Sequence, residues 1–182
     1  MNTFQSDFLQ TAIRRLKYYK ELGDKTFAQL GDTDFHYQFN EDSNSIAIII
    51  QHVSGNMLSR WTNFLTEDGE KPWRQRDEEF AAHEYNKEQL IGIWEKGWKC
   101  FLDTLASLKD DDLLKTVTIR QESLTVTDAI NRQLAHYPYH VGQIAYIGRM
   151  LRGPEWKSLS IPRGESANYN KSDAIKDPAK KF

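Results

Sequence analysis

The chain has 182 residues, of which 39% are apolar, enough for one buried core and too few for two independent ones. A formal net charge of -2 and a pI near 6.2 exclude a global positive field of the kind that holds a nucleic-acid backbone or an anionic membrane. The longest apolar run, Ile46 to Ile50, is too short to span a bilayer, and the single cysteine, Cys100, excludes an intramolecular disulfide and a Cys-based zinc site.

Residues 1–7 have neither a basic segment nor a continuous apolar one, so a cytoplasmic protein is expected. Phe4, Phe8, Leu9, Ala12, Ile13 and Leu16 recur at helical spacing and predict a first helix from about Thr3, weakened in its later part by Gly23. Ser43, Asn44 and Ser45 offer N-caps for a second helix, whose stripe is Ile46, Ile49, Ile50, Val53, Met57, Trp61 and Phe64. The polar stretch that follows contains Gly69 and Pro72. Asn86 and Gln89 then make a capping box for a third helix along Leu90, Trp94, Trp98, Phe101, Leu102 and Leu105, ended by Asp110 to Asp112. Cys100 falls in that pattern and reads as a buried inert thiol rather than a nucleophile.

Val117 and Ile119 alternate with threonines, Arg120 to Ser123 read as a turn, and Leu124 and Val126 follow, which predicts a short hairpin. Thr125 and Asp128 supply the cap and first-turn acid of a fourth helix along Ile130, Leu134, Tyr137, Val141, Ile144 and Leu151, stopped by Gly153-Pro154. The fold class is therefore all-α: a four-helix bundle over residues 1–153, with the long connection from Leu65 to Asn86 as a crossover between parallel second and third helices. Residues 154–182 form an extension packed on the bundle, and its end, with Lys176, Lys180 and Lys181, is expected to fray.

His136 and His140 lie four residues apart on the fourth helix, so both imidazoles can reach one ion. His52 sits beside the apolar stripe of the second helix and can turn inward as a third ligand. Three neutral imidazoles would cap a zinc, nickel or similar divalent ion and leave positions for water or substrate. The competing reading is that each is an ordinary surface or core histidine. The segment His136-Tyr137-Pro138-Tyr139-His140 lacks the glutamate of a zinc-protease helix, which argues against a metalloprotease. Pro138 either re-aims the two rings through a kink or simply bends the helix around the core. Asn56, Gln133 and Gln143 lie one turn from the histidines and could orient a ring or a water, whereas His36 and His83 read as solvated loop residues.

The run Asp128-Ala129-Ile130-Asn131-Arg132-Gln133-Leu134-Ala135-His136, then His140-Val141-Gly142-Gln143-Ile144, with Ile50-Gln51-His52-Val53 upstream, resembles the DinB-like superfamily of metal-binding four-helix bundles. The resemblance covers about Thr3 to Leu151, and Trp156 to Gly164 looks like the signature of an uncharacterised branch related to the bacillithiol transferases. It implies a three-histidine divalent-metal site, commonly a homodimer, and in some relatives a metal-activated low-molecular-weight thiol attacking a small electrophile. Two functions follow: a metal-dependent thiol S-transferase or hydrolase, with Arg163 able to meet an anionic substrate if the extension covers the site, or a non-catalytic metal-binding stress or scaffold protein. The first predicts an open coordination position beside a pocket, the second a site closed by a fourth protein ligand. No nucleic acid and no membrane are expected as partners.

Overall fold

The structure, a computed structural model, describes residues 3–182; residues 1 and 2, where the segment read for a leader begins, lie outside it. Four long helices carry the core: α1 (Phe4–Phe27), α2 (Ile46–Trp61), α3 (Lys87–Ser107) and α4 (Val126–Arg152). An antiparallel hairpin, β1 (Thr116–Ile119) and β2 (Glu122–Thr125), precedes α4, and a short α5 (Ser166–Lys171) lies in the extension. The fold is the expected all-α bundle. No helix is long and apolar enough to cross a membrane among the described residues.

The helices begin where local chemistry satisfies their free N–H groups. Thr3, Ser45 and Thr125 accept from the backbone N–H of Ser6, Ile48 and Asp128, and Asn86 and Gln89 form a reciprocal capping box. α3 ends at Ser107 rather than at the acid run, which forms its own 3₁₀ turn over Asp110–Asp112.

Packing explains two glycines. Gly23 does not weaken α1 but makes room for Trp94, because a Cβ there would lie 2.6 Å from the indole. Gly97 lets α3 meet α2 closely, since its Cβ would lie 2.8 Å from the Ser54 Cα. Farther along the same pair, the Thr104 hydroxyl donates to the Trp61 carbonyl at 3.0 Å. Position 54 thus meets 97 and 61 meets 104, so α2 and α3 run parallel and residues 62–86 are the crossover that brings the chain back. Trp61, Trp94, Trp98, Phe101 and Tyr137 fill the centre, all at most 1% exposed. Cys100 is half-buried at its edge, with Sγ 3.7 Å from the Thr62 hydroxyl.

The hairpin turn is tighter than expected. It consists of Arg120 and Gln121 alone, at φ 55° and 66°, as a two-residue hairpin with the right-handed strand twist requires. Neither residue favours that region, but Asp68 from the crossover accepts both of their backbone N–H groups, at 2.9 and 2.8 Å. A hydrogen bond from the Glu70 N–H, with those from Gln121 and Arg120, holds the Asp68 carboxyl down at about 2. In the extension, Asp177 pairs bidentately with Arg15 of α1, Lys181 pairs with Glu21, and Ala179 is buried.

Candidate metal centre

His52 of α2 and His136 and His140 of α4 come together at one end of the aromatic core. One ring nitrogen from each lies within 4.8 Å of the others, and the ring centroids are 4.8 to 5.5 Å apart. Each ring is held through its Nδ1. That of His52 donates to Glu79 Oε2 at 3.0 Å, that of His140 to Gln143 Oε1 at 2.7 Å, and that of His136 to Gln133 Oε1 at 3.3 Å. These acceptor oxygens place the ring proton on Nδ1 and leave Nε2 as a lone-pair donor.

The consequence is visible between His136 and His140, whose Nε2 atoms face one another at 3.1 Å. With both protons on Nδ1, two lone pairs point at each other, an arrangement that a shared cation turns from repulsive to attractive. Ligands about 2.1 Å from one ion and separated by a near-right or tetrahedral angle are roughly 3 to 3.4 Å apart, so the spacing fits a divalent metal. Burial, the mutual repulsion of the histidines, and Arg132 and Arg74 nearby lower the His136 pKa to about 4. His140 is lowered too, chiefly by burial, against the upward pull of its Gln143 hydrogen bond. Both rings are therefore neutral at pH 7, the form that binds metal. Pro138 lies between them, and α4 continues through it as helix.

Glu79 is the residue that sequence patterning missed. It sits in a 3₁₀ turn, Asp77–Phe80, of the polar crossover, and packs onto α2. Arg74 grips it bidentately, Nε to Oε1 at 2.7 Å and Nη2 to Oε2 at 2.9 Å. Burial alone would raise the Glu79 carboxyl, but the His52 and Arg74 hydrogen bonds and charges outweigh it and hold it below the ordinary carboxylate range. Gly55 provides the space, because a methyl group there would collide with the carboxylate. Phe80 from the same turn covers the His52 ring, with centroids 4.8 Å apart. A crossover of this length with no long element of its own was the available signal.

Of the amides singled out beforehand, Gln133 and Gln143 hold ligand rings, whereas Asn56 accepts from the Tyr137 hydroxyl at 3.1 Å. His36 and His83 bond backbone carbonyls in exposed loops, away from the three. Arg163 is exposed and does not line the cleft beside the histidines. That cleft, about 260 Å³, opens along His52 and His136. No aspartate, glutamate or cysteine joins the three histidines as a fourth ligand among the described residues.

Fold and centre together define an all-α bundle in which three anchored histidines could hold a metal ion. The chain belongs to the family described as Protein of unknown function (DUF1572), whose profile matches residues 3–165. No curated protein and no solved structure matches it.

Proposed function

We propose that this protein binds one divalent ion, zinc or nickel, through Nε2 of His52, His136 and His140, in the manner of the DinB-like bundles it resembles, and acts on a small molecule in the adjoining cleft. The observation that carries the reading is the anchoring of all three Nδ1 atoms on side-chain oxygens, which leaves Nε2 free on each of three clustered rings. Glu79 strengthens it, since a carboxylate behind a ligating imidazole raises the ring's basicity and fixes its orientation.

A bound ion would supply Lewis-acid chemistry, lowering the pKa of a coordinated water or thiol to near neutrality. The reaction class we propose is transfer of a low-molecular-weight thiol to a small electrophile, or a related hydrolysis. Three histidines without a fourth protein ligand, beside a cleft, favour this over a purely structural ion, for which the side chains would close the sphere. The homodimer belongs to the same proposal on the resemblance alone; light scattering that gives the mass of one chain would remove it.

The test is elemental analysis of untagged protein, beside His52→Ala and His140→Ala. About one equivalent of zinc or nickel in the parent, lost from both variants with helical content kept, is expected for a three-ligand site. A parent that neither contains nor takes up metal on titration would end the proposal.

A further inference from the structure

The cleft beside the histidines has an unusual lining. Five arginines face it, Arg60 from α2, Arg74 and Arg76 from the crossover, Arg120 from the hairpin turn and Arg132 from α4, and no acid or lysine lines it. The chain as a whole carries net charge -2, so this is a local concentration from four separate parts of the fold.

Two of the five are built in from behind. The side chains of Arg60 and Arg74 are only 5% and 2% exposed, and Glu70 and Glu79 hold them at 2.7 Å. Arg120 shares Glu70 at 3.2 Å. Arg76 has only the fully exposed Asp77, at 3.8 Å, and Arg132 joins no ion pair among the described residues, although Glu122 and Asp128 line the neighbouring hollow with it. Five guanidinium groups thus meet three carboxylates, Glu70, Glu79 and the exposed Asp77, none of which lines the cleft. An ion-pair network serving only to pin the crossover would balance its charges; this one leaves an excess of positive charge directed into a concave site.

We propose that this cleft is an oxyanion subsite that takes a phosphate or dicarboxylate group on the small molecule presented to the three-histidine centre. Guanidinium forks match planar and tetrahedral oxyanions in pairs of hydrogen bonds, and two pre-aligned, desolvated arginines lose little freedom on binding. A volume of about 260 Å³ is enough for a small anionic group. The placement of the anion's far end rests on the metal reading above; the anion site itself does not.

The experiment is isothermal titration calorimetry of the full chain, freed of metal by chelation, with inorganic phosphate and with succinate at low ionic strength. Saturable binding of at least one is expected, weakened about tenfold or more by Arg132→Ala and by Arg120→Ala, since a charged hydrogen bond contributes on the order of 1.5–3 kcal/mol. Both positions are exposed enough for the variants to fold, and Lys99→Ala, on the outer face of α3, should leave binding unchanged. Tighter phosphate binding assigns the ligand to phosphoryl compounds, tighter succinate binding to carboxylates. No saturable binding of either, or binding indifferent to Arg132 and Arg120, overturns the proposal. His140→Ala, outside the cleft lining, separates the readings: anion binding kept with metal lost leaves this site standing, and metal bound by a parent that takes no anion leaves only the metal centre.

Discussion

Along α2 and α4, two environments of opposite character lie within three turns of each other. At one, Trp61 and Tyr137 meet Trp98 and Phe101 in a packed aromatic block with ring centroids 4.6 to 5.9 Å apart. At the other, the same helices bring together His52, His136 and His140 backed by Glu79 and two glutamines. The first is held by its own packing, because aromatic rings gain from contact with one another, although the Trp98 Nε1 donor is buried without a hydrogen-bond partner. The second is polar throughout: facing ring nitrogens and an arginine-lined cleft, which on the proposals above would meet a cation and an anion.

The largest expected effect comes from breaking the packed block. Trp98→Ala should destabilise the fold by about 3–5 kcal/mol in denaturant titrations, as for other large-to-small changes at fully buried aromatics. The folded fraction should still take up one equivalent of metal if the block is a scaffold only. Metal uptake lost before stability falls would show that the two regions are coupled more tightly than the packing implies.

Glu79→Gln acts on the other region. Gln can still accept from His52 but loses the charge that raises the ring's basicity and pairs with Arg74. A fall in metal affinity of roughly 10- to 100-fold is expected from competition titration with a chelator. Gly55→Ala is an independent check. Alanine is the better helix former by about 1 kcal/mol, so the change should favour α2 intrinsically while displacing Glu79. Affinity unchanged in both variants would remove Glu79 from the centre.

Acid separates the regions by a third route. In the metal-free protein, His136 titrates near 4, below its unfolded value of 6.5, and His140 is lowered as well. Between those values the unfolded chain binds protons that the native state refuses, so stability falls as pH drops from about 6.5 toward 4 and levels off once the native rings protonate. Glu79, lowered from 4.5, adds loss at the acid end in the same direction. Thermal melts across that window should follow this slope, and a metal that binds only the native state should raise the melting temperature at pH 7. A flat profile from 6.5 to 4 would mean that the rings are not buried as described.

The contrast also marks what the sequence discloses. Helix periodicity, the Asn86–Gln89 box and the Ser45 and Thr125 caps are local signals, so the bundle and its aromatic block were legible. The three histidines were legible as a set because two share a helix face and the third sits beside an apolar stripe. Glu79 and Arg74 were not, because residues 62–86 have no periodicity and their roles arise only when the crossover folds back onto α2. The arginine cleft was hidden for the same reason: its five members come from four parts of the chain that composition averages into a net charge of -2. The tight Arg120-Gln121 turn escaped because Asp68, 52 residues before Arg120 in the chain, stabilises it in place of the usual Asn-Gly.

Tyr137 stands on the boundary and offers the smallest and most discriminating change. Its ring is wholly buried in the aromatic block, while its hydroxyl accepts from Trp61 Nε1 and donates to Asn56 Oδ1, both at 3.1 Å. Burial pushes the phenol well above its ordinary pKa, so the group is neutral and acts only through those two bonds. Tyr137→Phe keeps the ring and removes the oxygen, leaving a buried indole N–H without its acceptor; a cost of about 1–3 kcal/mol in denaturant titrations is expected. If the hydroxyl only joins the block to the polar layer, metal stoichiometry and affinity stay as in the parent. If affinity falls with stability, the Asn56 amide that Tyr137 holds at the cleft wall is part of how the site is shaped, and the boundary between the two regions lies one residue farther into the core.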